Sequence, residues 1–549
     1  MTQRTVWSSI DLAIVAKVLG AFAMLFSLTM LLPLAVGAVS GETFEQKAGN
    51  TVRGFGIAAA IGVALGLVLV LLGRKSKGEF FRREGILTVA CVWLLVGALG
   101  ALPFWISGWF SGFWDAFFES VSGLTTTGSS VLGAGGNSQV EELPPSLLFW
   151  RSWLHWLGGL GIVVMFLAFL PALGITEKTL FQAEVAGVSK EGLRPRIRHS
   201  TLMLFRIYVV ITSGLFLAYL VCGMGVFDAV NHAFSTIATG GFSTKNASIG
   251  GFHNVAIEIV AVIGMLMAAT NFGLYHRFTS LFRPVFRDGI VPKLKKLPTP
   301  KAVLRVFFGD PEFRLYAAVF ALATVAIIVT LAVSGTNVED PGAGRVQAYQ
   351  DSLVDCARAA PFQVSSMISS TGFANSNTLA WPLLAQAIIL ILMLAGGCSG
   401  STGGGLKMAR VMILFKLIAR SLRRFVRPRA VEPLRVGQDP LDQEIADRVV
   451  ALAALWIATL AVGSLAIQLM EPQLDLLGSF SSMVTCLCNM GPAFTSVVGG
   501  EPFGPNIGSY GSFGEFGAGT KAFMAFVMVL GRLEIYTALI IVFPGFWKD

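Results

Sequence analysis

Charged residues are scarce in this chain. Asp, Glu, Lys and Arg make up 13% of its 549 residues, against about 25% in an average soluble domain. Hydrophobic residues make up 54%, and the mean hydropathy is +0.70. A soluble core cannot absorb that much apolar surface, so the sequence predicts an all-α polytopic membrane protein in a lipid bilayer. The net charge of +9 does not indicate binding to nucleic acid, because Lys and Arg concentrate in a few loops between apolar runs.

The sequence also lacks the common signatures of catalysis. Its six cysteines show no metal-ligand spacing, and we expect them to be buried thiols. Neither H-E-x-x-H nor G-x-S-x-G occurs, so a membrane-embedded acyl or glycosyl transferase is a weak alternative. The phosphate-binding G-x-x-x-x-G-K-[ST] is absent, since Lys407 is followed by Met408. We therefore expect no enzyme activity and no nucleotide site in this chain.

One polar stretch, SVSGLTTTGSS at Ser120–Ser130, interrupts the apolar sequence. It ends a helix-like segment of about a dozen residues, for which Asp115 suits an N-cap. At roughly 1.5 Å per residue such a helix is too short to span a bilayer. It ends near Gly128, where the backbone can turn its carbonyls toward a cavity. The pattern predicts a pore helix, and the alternative is a polar loop between two membrane helices.

Three further copies of this segment follow along the chain, which favours the pore helix. The four copies end at Gly128, Gly241, Gly372 and Gly491. An aspartate lies 13 residues before the glycine in the first two copies, and 17 and 16 residues before it in the third and fourth. Four such segments predict four pseudo-symmetric helix–pore-helix–helix repeats around a central pore.

The apolar runs divide the chain into five segments. Residues 1–83 hold an extra N-terminal pair of membrane helices, and the pore repeats occupy residues 84–200, 201–312, 313–440 and 441–549. The first run is expected to stay as a membrane helix, because no cleavage site follows it. Basic loops should be cytoplasmic and the acidic loop with Glu141 outside, which makes the N-terminus cytoplasmic. The predicted spans are Ile10–Val36, Gly54–Leu72, Ile86–Trp109, Leu148–Leu173, Leu204–Met224, Val255–Leu281, Phe313–Val333, the broken Leu383–Ala395 with Leu406–Ile418, Ile445–Leu469 and Lys521–Phe543.

The break in the third repeat, GGCSGSTGGG, is glycine-rich enough to interrupt a helix at membrane depth. A cation inside the last span, Arg532, costs about 3 kcal/mol if it faces lipid, so it needs an interior partner. Positions two apart do not share a helix face, which favours the glycine-rich loop over Glu534 as that partner. The residues expected to lie together here are Gly396, Gly397, Gly400, Ser401, Thr402, Gly403, Gly404, Gly405 and Arg532.

A family resemblance covers nearly the whole chain. The loops TTTGSS, ATGGFST, SSTGFANSN and CNMGPAF, with HWLGGLG, GGCSGSTGGGLK and GRLEIYTALIIVFPGFW, resemble the Trk/Ktr/HKT superfamily of potassium transporters, closest to its bacterial TrkH branch. The resemblance implies potassium uptake across the bacterial inner membrane, with K⁺ as the transported ion. It also implies that the arginine and the glycine-rich loop form an intramembrane gate. The implied partners are a second copy in a homodimer and a cytosolic, TrkA-like ring that binds nucleotide.

The resemblance places a potassium-binding filter at the four glycine loops. Carbonyls there would replace the oxygens of the ion's water shell. Its residues would be Thr126, Thr127, Gly128, Thr239, Gly240, Gly241, Ser370, Thr371, Gly372, Asn489, Met490 and Gly491. We prefer Gly241 to Gly240 as the filter glycine, because Gly-Phe also ends the third loop. TVGYG is absent, so selectivity should be less strict than in potassium channels, which leaves sodium permeation open. An ion-coupled symporter is the alternative, with Glu119 and His232 as its candidate sites.

Overall fold

The computed structural model describes residues 10–42, 49–76, 82–161, 197–281, 299–334, 337–340, 345–348, 353–428, 434–437, 439–498 and 501–547. This part of the chain is predominantly α-helical. Its helices are α1 Leu12–Thr29, α2 Leu31–Val39, α3 Gly49–Leu72, α4 Arg82–Ile106, α5 Phe113–Leu124, α6 Pro145–Gly159, α7 Ile197–Val221, α8 Val226–Ile237, α9 Val255–Ala268, α10 Phe272–Ser280, α11 Pro300–Phe308, α12 Pro311–Ser334, α13 Leu353–Ile368, α14 Leu383–Ala395, α15 Met408–Val426, α16 Gln443–Met470, α17 Leu476–Cys488, α18 Ala518–Arg532, α19 Tyr536–Val542 and α20 Pro544–Trp547.

Three short antiparallel hairpins lie between helices of the described chain. They pair β1 Asn337–Asp340 with β2 Arg345–Ala348, β3 Arg435–Val436 with β4 Asp439–Pro440, and β5 Val497–Val498 with β6 Glu501–Pro502. Six helical stretches of the described chain are long and apolar enough to cross a membrane, and a seventh crossing is formed if the bent pair α9 and α10 counts as one. The predicted class, an all-α polytopic membrane protein, is confirmed.

The N-terminal helices pack closely because glycines line their contact. A Cβ atom on Gly20 of α1 would lie 2.5 Å from the carbonyl oxygen of Gly66 in α3. At the other end, a Cβ atom on Gly73 would lie 2.5 Å from the carbonyl oxygen of Ala13. Small residues let membrane helices approach closely and gain dispersion contacts. Phe26 of α1 and Phe55 of α3 pack against Trp150 of the first repeat.

The first pore helix does not begin at the predicted N-cap. α5 and α8 begin after the N-caps Gly112 and Gly225, so Asp115 and Asp228 lie in the first turn and are not caps. Asp115 instead forms a buried ion pair with Lys521 of α18. In the fourth copy Asp475 is the N-cap and accepts a bond from Gly478 N. The cap prediction was wrong for the first copy because its aspartate has a buried lysine as partner.

Two spans predicted to be continuous are broken. The predicted span Val255–Leu281 is bent by 92° between α9 and α10. The predicted span Lys521–Phe543 is interrupted after Arg532, where Glu534 and Ile535 have φ of 55° and 42°. At the first break the carbonyl of Ala269 still has a hydrogen-bond partner, because Cys398 N of the glycine-rich loop donates to Ala269 O at 2.9 Å. That long-range partner has no local signal in the sequence.

Parts of the predicted topology lie outside the described residues. The predicted span Leu148–Leu173 begins with α6, but its part beyond Gly161 is not described. The same holds for the basic stretches 178–194 and 283–296, and for part of the loop 74–83.

Candidate functional site: a ring of four loops above a glycine-rich loop

The four pore helices end in the same way. In each, one residue turns into the left-handed region, and the next backbone N–H bonds five residues back. The left-handed residues are Thr126, Thr239, Ser370 and Asn489, with φ between 51° and 60°. The returning bonds are Thr127 N to Ser122 O at 2.8 Å, Gly240 N to Ser235 O at 2.8 Å, Thr371 N to Ser366 O at 2.8 Å and Met490 N to Thr485 O at 2.9 Å. This helix ending satisfies carbonyls that would otherwise lack partners.

The shared ending aligns one glycine in each copy. Gly128, Gly241 and Gly372 have φ of 82°, 84° and 83°, a region that favours glycine. Gly240 is not in this region, so Gly241 is the structural counterpart of Gly128 and Gly372. Gly491 aligns by hydrogen bonding but does not adopt positive φ. The fourth loop therefore differs in backbone conformation from the other three.

The four loops contact one another in a closed ring. A Cβ atom on Gly128 would lie 2.0 Å from Gly240 O, and one on Gly241 would lie 2.1 Å from Thr371 O. A Cβ atom on Gly372 would lie 2.8 Å from Gly491 N, and one on Gly491 would lie 3.1 Å from Gly128 O. Each loop thus abuts the next in chain order, and the fourth returns to the first. All four glycines line one cavity of about 350 Å³.

Hydroxyl groups fix three of the loops. Ser122, Ser366 and Thr485 each donate from the pore helix to a loop carbonyl seven residues on, at 2.5 to 2.6 Å. In the second copy the corresponding hydroxyl, on Ser235, has no partner within the described chain.

In the second copy a histidine contacts the loop. Phe242 N donates to His155 Nε2 at 3.2 Å, which leaves Nδ1 to donate to Gly123 O at 2.7 Å. A Cβ atom on Gly240 would lie 2.4 Å from the His155 ring. Glycine is therefore needed at the two positions for different reasons. Gly240 makes room for the His155 ring, and Gly241 permits positive φ.

A buried ion pair lies behind the first loop. Arg151 Nε donates to Glu119 at 2.8 Å, and both side chains are at most 3% exposed. Glu119 also accepts from Ser130 Oγ and Val131 N, and Arg151 Nη1 donates to Ser243 O of the second loop at 3.1 Å. Sequence reasoning missed Arg151, although it is the only charged residue between Pro145 and Gly159.

Polar contacts join each repeat to its neighbours around the ring. Arg151 joins the first to the second, and Arg358 binds Glu258 at 2.5 Å to join the third to the second. The hydroxyls of Thr378 and Ser509 lie 2.6 Å apart between the third and fourth. The ion pair of Lys521 with Asp115 joins the fourth back to the first. Side-chain contacts around the circumference therefore also connect all four repeats in a closed ring.

The glycine-rich loop lies against the ends of three pore helices. Thr402 Oγ1 donates to Ile237 O of the second copy at 3.0 Å, and Gly404 N donates to Ser370 Oγ of the third at 2.5 Å. A Cβ atom on Gly404 would lie 1.9 Å from Cys488 O of the fourth. Glycine is required at such a contact because only a residue without a side chain permits it.

Arg532 links this loop to the first repeat. Its Nη1 donates to Thr402 O at 2.9 Å and to Thr126 Oγ1 at 3.3 Å. Its Nη2 donates to Gly158 O at 2.6 Å. Glu534, the alternative partner, pairs with Arg410 at 2.5 Å.

Two further charged groups hold the loop. Glu312, at the start of α12, accepts from Ser399 N at 2.6 Å and from Ala409 N at 2.9 Å. Lys407 folds back and donates to Gly403 O, which places its ammonium inside the loop instead of at a cytoplasmic surface. Sequence reasoning missed Glu312, whose only signal is an acid at the start of an apolar span.

Together these features define the class: a polytopic membrane protein in which four re-entrant helix–loop units form a ring. The sequence profile of the TrkH family, described as a cation transport protein, matches residues 53–545. The chain is 35% identical over 537 residues to the Trk system potassium uptake protein TrkH of Escherichia coli K12, and 34% identical to that of Salmonella typhimurium. Each match covers 97% of this chain and 99% of the relative.

Among solved structures, the crystal structure of the potassium transporter TrkH from Vibrio parahaemolyticus superposes with a TM-score of 0.78 at 32% identity. It covers 98% of this chain and 100% of that one. The chain belongs to the TrkH family, as the resemblance indicated. It is therefore a transporter and not an enzyme.

Proposed function

We propose that this chain conducts potassium into the cell across the bacterial inner membrane, with its N-terminus in the cytoplasm. The observation that carries the proposal is the closed ring of four aligned glycines lining one cavity. A potassium ion entering a narrow passage must exchange water for fixed oxygens, and the four loops present backbone carbonyls at close quarters. Four short helices also direct their partly negative carboxyl ends toward the loops.

The proposed filter comprises residues 126–128, 239–241, 370–372 and 489–491, with Gly241 as the second glycine. The proposed repeats keep the sequence divisions at residues 84, 201, 313 and 441, preceded by the N-terminal pair. The recurrence of one helix ending in all four copies supports both assignments. Since TVGYG is absent, we expect rubidium to pass as well, and sodium to be excluded less strictly than in potassium channels.

The proposed gate is the glycine-rich loop with Arg532. Its support is the position of the loop against three pore helices and the bonds from Arg532 to Thr402 O and Gly158 O. A cation just below the ring also opposes the approach of another cation. By the family resemblance, control comes from a cytosolic TrkA-like nucleotide-binding ring acting on a homodimer.

The symport alternative depended on Glu119 and His232. Glu119 is bonded to Arg151, Ser130 and Val131. His232 donates from Nδ1 to Asp228 O at 2.8 Å and accepts at Nε2 from Ser243 Oγ at 2.9 Å. Protein groups hold both side chains in the wall of the ring, which favours passive permeation over coupling through either residue.

Rubidium uptake into liposomes containing the purified chain tests the proposal. A rubidium gradient alone, without a sodium or proton gradient, should drive uptake that potassium inhibits more than sodium does. Adding the regulatory partner should change the rate but not the preference. Uptake that requires an imposed sodium or proton gradient would establish the symporter, and absence of uptake under every gradient and with the partner present would contradict both.

A further inference from the structure

A large apolar cavity lies beside the glycine-rich loop. It has a volume of about 830 Å³, is open on one side, and is lined by α7, α9, α10, α11 and α12. Its walls are largely aromatic and include Tyr275, Phe307, Phe313 and Phe320. It lies near the start of α7 and of α12, at the end of the repeat away from the ring and toward the side predicted to be cytoplasmic.

The rim of this cavity is basic. Arg206 lines it and is exposed. The short helix α11 contributes Val303, Leu304, Phe307 and Phe308 to the wall, while its Lys301 and Arg305 are exposed. A helix that combines exposed apolar side chains with cations is typical of the membrane interface.

The buried side chain of Tyr316 forms part of the cavity wall. Tyr316 lines the cavity and is 2% exposed, yet its hydroxyl has no hydrogen-bond partner within the described chain.

We propose that this cavity binds an anionic phospholipid of the cytoplasmic leaflet, with its acyl chains among the aromatic side chains and its headgroup near Arg206, Lys301 and Arg305. Basic pockets between membrane helices on this side suit such headgroups. Charge complementarity favours an anionic over a zwitterionic lipid. A segment of a second copy would have to supply both a slender apolar chain and a negative charge.

The site is connected to the proposed gate. Glu312, one turn before Tyr316 on α12, binds Ser399 N and Ala409 N of the glycine-rich loop and its following helix. At the other wall, Phe272 N at the start of α10 donates to Gly400 O at 3.1 Å. A lipid packed between α10 and α12 therefore contacts the two helices that hold the loop, and its binding should alter the rate of permeation.

Native mass spectrometry of the purified full-length chain tests the site. Phosphatidylglycerol and phosphatidylcholine with identical acyl chains are titrated against the wild type and Arg206→Gln/Arg305→Gln. Each lost cation should weaken phosphatidylglycerol binding about fivefold and leave phosphatidylcholine unchanged. The control is Arg424→Gln, at an exposed cation of α15 away from the cavity. Ala317→Trp, which fills the cavity, should remove binding of both lipids at this site.

Equal phosphatidylglycerol affinity in the double variant and the control would overturn the proposal. So would cross-linking from a photoreactive residue at position 317 to a second copy instead of to lipid. A second measurement compares rubidium flux in liposomes of the two lipids, where the double variant should lose the lipid dependence seen in the wild type. Lipid dependence that persists in the variant would also overturn it. The binding measurement needs no transport, so its failure is distinct from failure of the proposed function.

Discussion

The ring and the glycine-rich loop below it are both irregular backbone at membrane depth, but they are held in different ways. The ring is shaped mainly by its own segments, through left-handed residues, returning N–H bonds and hydroxyls seven residues earlier, and the Arg151–Glu119 pair adds support behind the first loop. The lower loop is held by charged side chains from distant helices, chiefly Arg532 and Glu312. We therefore expect the ring to keep its shape. In the gate that we propose, the lower loop is the part that is released, because a few long-range bonds hold it.

Glycine serves two purposes in these regions. In three loops of the ring glycine permits positive φ with a neighbouring loop in contact. In the lower loop Gly396, Gly400 and Gly405 also have positive φ, of 71°, 70° and 79°, whereas Gly403 and Gly404 do not and instead permit contact with the pore helices. Substitution of Gly128, Gly241 or Gly372 should therefore distort the ring. Substitution of Gly403 or Gly404 should displace the lower loop.

The largest expected effect is that of Gly128→Ser. The new Cβ atom would lie 2.0 Å from Gly240 O at a φ of 82°, so the ring must open. We expect the preference for potassium over sodium in liposome uptake to fall toward unity. Rubidium flux with each ion as competitor measures it.

Two matched substitutions separate ring distortion from backbone strain. Gly223→Ser has a φ of 90° but no neighbour within 4 Å, so it should keep selectivity. Gly491 has no positive φ, and a Cβ atom there would lie 3.1 Å from its nearest neighbour, so Gly491→Ser should cause an intermediate loss of selectivity. If all three variants behave alike, the ring contacts do not determine selectivity.

The next effect is on stability. Glu119→Gln leaves Arg151 buried without its carboxylate, and breaking a buried ion pair typically costs 3–5 kcal/mol. Thermal unfolding of the purified protein in detergent should show a clearly lower midpoint. The control Glu444→Gln removes an exposed pair with Arg448 and should change stability by less than about 0.5 kcal/mol. Equal midpoints for both variants would show that the pair does not support the ring.

The variant Arg532→Ala tests release of the lower loop. Each charge-assisted bond that it loses contributes about 1.5–3 kcal/mol, which corresponds to about a ten- to hundredfold change in an open-to-closed ratio. Rubidium flux should rise by that factor with selectivity retained, and it should depend less on the regulatory partner. Arg424→Ala, at an exposed cation, should leave flux unchanged. Wild-type flux in a folded Arg532→Ala protein would show that the loop is only a structural break.

The regular parts of this architecture follow from local sequence. Long apolar runs predict the spans, and hydroxyl-rich segments ending in glycine predict the pore helices. The glycine-rich break was likewise predicted, because ten residues from Gly396 to Gly405 carry six glycines.

What the sequence could not predict depends on distant partners. The bend after Ala268 has no glycine or proline within it, and its free carbonyls bind Cys398 N and Thr402 Oγ1 from another repeat. Arg151 was overlooked because its partner Glu119 is 32 residues away, on a different helix. Contacts between repeats decide both features, and a single sequence without three-dimensional pairing does not display them.

The smallest expected effect is that of Glu312→Gln, which weakens one hold on the lower loop without removing it. The amide oxygen can still accept from Ser399 N and Ala409 N, but a neutral acceptor contributes about 1 kcal/mol less than a charged one. Rubidium flux should therefore rise about fivefold, less than for Arg532→Ala. Selectivity should remain that of the wild type, since Glu312 binds the lower loop and does not contact the ring. Glu444→Gln provides the matched control at an exposed acid. A change in selectivity in Glu312→Gln, or a flux increase equal to that of Arg532→Ala, would mean that ring and loop do not move independently.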